Sequence, residues 1–252
     1  MEWTAQGTLC AVRRHGENGV IAQLFTAEHG LVSGYVPGGA GRRLRPVLEP
    51  GNEVKARWRA RLADHLGTLQ VELVQARAAQ VMGQPLRLAA MMSLLGVLSQ
   101  ALPERESFPG LKETLEELLA LFVQPALPVE AIGPALVRYE IDLLSALGFA
   151  LDLRHCAATG GVDDLIYVSP KTGRAVSAEA GAPYRDKLLT LPQFLLGRQA
   201  GDISYDSVRD GLALSGFFLE SWVFQPRSKA LPAARERFVQ LLLRAMAPPN
   251  AP

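Results

Sequence analysis

The chain has 252 residues, with 26 Lys+Arg against 25 Asp+Glu and a formal net charge of +1. Apolar residues make up 48% of it, which excludes an intrinsically disordered chain; a charge this close to zero argues against a nucleic-acid binder if it is spread evenly. At roughly 100–200 residues per domain, the length fits one large domain or two small ones. Two cysteines, Cys10 and Cys156, are too few for a disulfide framework. Met1-Glu2-Trp3-Thr4 has no basic segment followed by an apolar one. The longest near-apolar run, Leu88–Leu98, is shorter than the ~20 residues that span a bilayer. A soluble, cytoplasmic protein is expected.

The first eighty residues read as short strands. Thr4–Val12 is followed by a turn over Arg13–Gly19, where Asn18-Gly19 signals a hairpin. Val20–Thr26 and Leu31–Val36 come next, then the glycine-rich Pro37–Gly41. In Glu53–Leu62, the apolar Val54, Ala56, Trp58, Ala60 and Leu62 alternate with charged residues, a period of two that separates a core face from a cationic one. Leu66–Ala76 completes five strands, which suits a small barrel of the OB-fold kind. From Pro85 the spacing turns helical: Leu86–Leu102, Leu111–Val123 and Ala131–Leu147, the last with Pro134 in its first turn and Gly148 as its cap. Residues 152–184 are turn-rich, and Val162–Val168 and Arg174–Ser177 can pair as a hairpin. Helical spacing returns at Pro192–Gln199, Asp206–Phe224 and Pro232–Ala245, and the proline-rich tail from Pro248 is expected to fray. The expected architecture is α+β: an OB-fold domain over 1–80 and a helical domain over 81–252 that carries the small β insertion.

Charge divides unevenly between these parts. Residues 1–80 hold ten Lys/Arg and seven Asp/Glu, and residues 81–252 hold sixteen and eighteen. Between Gly38 and Arg61, seven cations (Arg42, Arg43, Arg45, Lys55, Arg57, Arg59 and Arg61) face only Glu49 and Glu53, a local charge of +5. The last four lie on one side of a single expected strand. Six of the seven are Arg, whose planar fork suits phosphate oxygens. A cationic strand on a small barrel fits a nucleic-acid groove; the other reading is a charged edge strand that resists aggregation. Stacking aromatics are sparse (Trp3, Tyr35 and Trp58), and Trp58 falls in the core register, so phosphate contact should dominate.

No catalytic motif is present. The four histidines are isolated, and Gly38–Arg43 lacks the ending of a phosphate-binding loop. Asp163-Asp164 reads as a solvated turn pair. An enzyme with a dispersed site and an OB-fold RNA-binding or translation-associated module remain the competing classes.

Several segments together resemble one family. Leu24–Gly30 contains "FT-x-E-x-G". Gly39-Ala40 with Arg42, Arg43 and Arg45 resembles a glycine-alanine-basic loop, followed by Leu48-Glu49-Pro50. Ala135–Gly148 is similar to a central helix of the form "R-[FY]-E…LL…LG", and Leu151–Cys156 resembles the start of a zinc knuckle. With Gly7 and Gly16-Glu17 in order before them, these resemble the bacterial DNA repair and recombination mediator RecO family over roughly residues 1–225. The resemblance implies a non-catalytic protein that binds single- and double-stranded DNA and anneals complementary strands. It also implies action with RecR, contact with the acidic C-terminal tail of single-stranded DNA-binding protein, and indirect help to RecA loading in the nucleoid. DNA contact is expected from Arg13, Arg14, Arg42, Arg43, Arg45, Lys55, Arg57, Arg59 and Arg61. Arg138 occupies the motif position for the acidic tail, or else pairs with Asp142 one turn on. Many members carry four cysteines after the central helix; only Cys156 stands here, so no cofactor and no structural zinc are expected. Leu165, Ile166 and Val176 are left to hold that subdomain by packing.

Overall fold

A computed structural model describes residues 1–62, 65–197 and 203–247. The chain forms two compact units. One comprises Met1–Pro125 with Pro232–Arg237; the other comprises Ala126–Leu231 and the chain from Phe238.

In the first unit, β1 (Glu2–His15), β2 (Gly19–Thr26), β3 (Gly30–Val36), β4 (Glu53–Arg59) and β5 (Gly67–Gln75) form a closed barrel in the order β1-β2-β3-β5-β4. β1 closes the barrel on β4, and β3–β5 is its parallel pair. This is the OB-fold. The period of two produces the core: Val54, Ala56 and Trp58 point inward to Leu9, Leu24, Val32 and Leu69, while Lys55, Arg57 and Arg59 point out. Three expectations are corrected at the strand ends. Arg13 and Arg14 belong to β1 rather than to a turn, which shrinks to Gly16–Asn18 and takes its positive φ at Gly16 (66°), not at Asn18-Gly19. β4 ends at Arg59, so Arg61 lies beyond the cationic strand, and Leu62, expected inside, is 57% exposed. The "FT-x-E-x-G" segment is a turn: the Thr26 hydroxyl accepts the His29 N–H at 3.0 Å, and Gly30 takes φ 63°. A Cβ on Gly30 would stand 1.8 Å from the Glu106 carbonyl oxygen, so only glycine fits.

β5 leads directly into α1 (Arg77–Val81), a short helix without a periodic signal, then α2 (Pro85–Ala101) and α3 (Pro109–Phe122). The buried Arg87 of α2 donates to the carbonyls of Phe122 (3.3 Å), Gln124 and Pro125 (3.0 Å), satisfying the open end of α3. Glu116 of α3 accepts from Thr8 of β1, from Lys112 and from Arg77, which also reaches Glu53 at 3.0 Å. These contacts bind α1–α3 to the barrel. The barrel itself ends at Gln75, and the compact unit takes in these helices as far as Pro125.

In the second unit, α4 (Val129–Ala146) packs on α6 (Tyr205–Phe218) and buries Leu136, Val137, Leu143 and Leu144. Gly133 admits Val208 and Leu242, the latter from α7 (Ala233–Met246). α4 starts two residues earlier than its spacing suggests, which leaves Pro134 inside it. Gly148 takes φ 86° just beyond the helix end, as its capping position requires. The expected hairpin is present as β6 (Leu165–Val168) and β7 (Ala175–Ser177), followed by α5 (Ala178–Gly181) and a 3-10 turn over Ala182–Lys187. A third strand, β8 (Leu189–Thr190), pairs with the other edge of β6 and was not anticipated. Of the expected helix Pro192–Gln199, only a 3-10 turn, Gln193–Leu195, forms; residues 198 and 199 and the tail from Pro248 lie outside the described residues. α6 continues as a π-helical segment over Leu219–Phe224.

Candidate nucleic-acid interface

The outer face of β4 is built by cross-strand register. Gln6, Lys55 and Glu72 form one row across β1, β4 and β5; Thr4, Arg57 and Gln70 form the next; Glu2, Arg59 and Thr68 form the last. The three cations therefore sit in file on the middle strand, mostly flanked by uncharged polar groups. Arg57 is engaged by Glu2, a carboxylate the local charge count did not include. Lys55 faces Glu72 across the ladder.

The loop between β3 and β4 brings one further cation, Arg43, to this face. Two short turns close where Arg45 N–H reaches the Gly41 carbonyl at 3.2 Å and Leu48 N–H reaches that of Leu44 at 2.9 Å. These turns direct Leu48 inward and Arg42, Arg43 and Arg45 outward. Gly39 lies so close to the barrel that a Cβ would meet Val20 at 2.6 Å. Asn52 then pins the loop. Its buried amide donates to the carbonyls of Pro46 (2.9 Å) and Val47 (3.2 Å), and its Oδ1 accepts the Ala78 N–H at 3.1 Å.

In consequence Arg43 joins Lys55 and Arg57 around a cleft of about 440 Å³, which Thr4 and Gln70 also line. Arg57 and Arg59 border a second cleft with Thr68 and Gln70. Arg14 meets Arg45 in a separate cleft beside Glu49 and Pro50. Arg13, Arg42 and Arg61 are exposed but line none of these three. Arg14, Arg43, Arg45, Lys55 and Arg59 make no ion pair among the described residues. Such a surface can take phosphates at several points without reading base edges.

The second unit holds the remaining candidates. Arg138 is exposed on α4, yet its Nη2 donates to the Phe194 carbonyl at 3.1 Å and its guanidinium lies 5.5 Å from the Phe194 ring. It makes no ion pair with Asp142, whose carboxyl burial pushes upward. The next two residues of that motif are structural. Tyr139 is buried, and the buried Glu140 accepts from the Ser215 hydroxyl of α6 at 2.6 Å.

Cys156 stands in a loop whose turns survive without further cysteines. The Gly160 N–H reaches the Cys156 carbonyl at 2.8 Å, and the Ser177 N–H reaches its Sγ at 3.3 Å. Burial opposes ionisation of the thiol, but hydrogen bonds from Thr159 and Ser177 outweigh it and pull the thiol down to about 6. A structural zinc ion takes four thiolate or imidazole ligands, and one thiol among hydroxyls does not fit it. Among the described residues, no group of three or more His, Cys, Asp or Glu stands together. Burial pushes the other thiol, Cys10, up to about 12.

No described helix is long and apolar enough to cross a membrane. Residues 1–77 match the family model for the N terminus of recombination protein O, and residues 82–231 match the model for its C terminus. The chain is 52% identical over 241 residues to the DNA repair protein RecO of Rhodospirillum centenum, covering 95% of this chain and 94% of the relative. It is 47% identical over 246 residues to the protein of the same name from Methylobacterium nodulans, covering 96% and 98%. With that of Caulobacter sp. it shares 47% over 236 residues, covering 93% and 95%. Joined to a closed five-stranded barrel and a helical second unit, these matches make the chain a member of the RecO family.

Proposed function

We propose that this protein is a non-catalytic, cytoplasmic and nucleoid-associated mediator of DNA repair and recombination. It binds single- and double-stranded DNA, anneals complementary strands and, with RecR, helps load RecA. The observation that carries this reading is the file of Lys55, Arg57 and Arg59 on β4, extended by Arg43. Contact through phosphates makes binding steeply salt-dependent and weakly dependent on sequence. The second unit contributes a partner surface, on which Arg138 receives the acidic tail of single-stranded DNA-binding protein once its carbonyl contact is exchanged for a carboxylate. The protein does this without bound zinc.

Strand annealing on DNA coated by single-stranded DNA-binding protein tests the reading. Annealing is expected, and it is lost when Arg43, Lys55, Arg57 and Arg59 are replaced together. A preference for structured RNA, with no annealing, would replace this reading with an RNA-binding one. Arg138→Ala should weaken binding of the acidic tail peptide and leave DNA affinity unchanged. Metal analysis of the purified protein should find no stoichiometric zinc.

A further inference from the structure

One end of the barrel is walled by aromatic rings. Trp3 and Trp58 are cross-strand partners on β1 and β4, their rings 5.6 Å apart and 11° from parallel. The imidazole of His29, from the turn between β2 and β3, stacks on Trp3 at 4.2 Å and 22°. Over Trp58 lies the guanidinium of Arg105, 5.7 Å from the ring centroid. Core filling explains Trp58, which is 3% exposed. It explains Trp3 only in part, since that ring packs against the core yet stays half-buried; with the half-buried His29 and with Glu28, Val32 and Arg105 it lines an open cavity of about 240 Å³.

Arg105 is held at that cavity in an unfavourable conformation. Its φ of 65° lies in the left-handed region, which a side chain of this size seldom occupies. Two contacts keep it there: its N–H donates to the Leu31 carbonyl at 2.8 Å, and its Nη2 donates to that of His65 at 2.8 Å. Its buried Nε–H has no acceptor among the described residues. The cavity thus combines ring surface, a donor without a partner and an exposed carboxylate, Glu28.

We infer that this cavity takes one nucleobase of a single strand, stacked on the His29–Trp3 wall, with Arg105 and Glu28 meeting the polar groups on its edge. A base presents both a flat π-face and in-plane donors and acceptors. The aromatic ring of a phenylalanine has no polar edge for Arg105 and Glu28 to engage. Arg59 follows Trp58 on β4 but points to the opposite face, so a strand lying on the cationic file has to turn over the end of the barrel to enter the cavity. The inference rests on the nucleic-acid reading of the outer face and adds base contact to it.

The test titrates the unsubstituted protein with oligothymidylate and with an abasic strand of equal length, following tryptophan fluorescence and anisotropy. Oligothymidylate should quench the fluorescence and bind about 5- to 150-fold more tightly than the abasic strand. His29→Ala and Trp3→Ala should erase that difference while leaving abasic affinity and its salt dependence unchanged. Trp3→Phe, which keeps a ring in place, should retain most of it and controls for loss of fold. Equal binding of the two strands by the unsubstituted protein, with the usual salt dependence, overturns this inference and leaves the phosphate-binding face standing. Binding of neither strand overturns the nucleic-acid reading itself. Displacement of oligothymidylate from the cavity by a phenylalanine-ended acidic peptide assigns the cavity to a protein partner and overturns the base assignment.

Discussion

Replacing Arg57 and Arg59 with alanine isolates what the outer face of β4 contributes to DNA binding. Both side chains are exposed, so the fold should lose no more than about 0.5 kcal/mol. Each phosphate neutralised on a single strand adds about −0.7 to the slope of log K against log salt. Losing two such contacts should flatten the slope by about 1.4, so the variant's deficit shrinks roughly sevenfold between 50 and 200 mM salt. The Glu2–Arg57 pair trims this figure. Its side chains are 59% and 37% exposed, so it is screened by solvent and worth about 0–1 kcal/mol, which an incoming phosphate has to displace. Glu2→Gln should therefore tighten binding by up to about fivefold and steepen the slope. Anisotropy of a labelled single strand over a salt series measures both effects. Parallel salt lines for the double variant and the unsubstituted protein would refute the assignment of this face.

Three further outcomes follow from named contacts. Burial works against ionisation of Glu116, but Lys112, Thr8 and Arg77 together hold its carboxyl below the ordinary 4.5. Its contribution is present above about pH 4.5 and is lost as pH falls through the lowered value, so Glu116→Gln should cost about 2–4 kcal/mol at pH 7 in urea denaturation, with the gap closing in acid. Asn52→Ala strips three hydrogen bonds from the basic loop; it should destabilise the barrel by about 2–4 kcal/mol and weaken DNA binding without removing any cation. Ser215→Ala leaves the buried Glu140 without that donor and should lower stability by about 1–3 kcal/mol in thermal unfolding.

The barrel was legible because its signal is local. Alternation in Glu53–Arg59 separates a packed face from a charged one whatever the rest of the chain does, and glycine and proline punctuate the strands around it. The limits of β4 were less legible. Ala60 and Leu62 continue the alternation; Ala60 still exchanges backbone hydrogen bonds with Met1, at 3.0 and 2.7 Å, but the ladders to β1 and β5 do not reach Leu62, so there the pattern outlasts the pairing. α1 is too short to show a period. At the expected helix Pro192–Gln199 the chain has just left β8, with Leu191 N–H reaching the Ile166 carbonyl at 2.8 Å, and its described part makes only the 3-10 turn Gln193–Leu195. Asn52 resembled any turn asparagine; its role depends on the Ala78 N–H, 26 residues away.

Which cations are available is the least local property of all. Of the ten in the first eighty residues, Arg77 is consumed by the fold: it is buried and shared between Glu53 and Glu116, the second 39 residues on. Arg57 is partly neutralised by Glu2, which joins it only because β1 closes the barrel on β4. Neither pairing leaves a trace in a running sum of charge. The converse holds for Arg43 and Arg45. They stand two residues apart, yet the loop sends Arg43 to Lys55 and Arg45 to Arg14, so one basic run supplies two separate clefts. A balanced chain can therefore carry a strongly cationic face. The carboxylates that would cancel it are either committed to internal pairs, as Glu53 and Glu116 are, or placed where they oppose only one or two of its members, as Glu2 and Glu72 are.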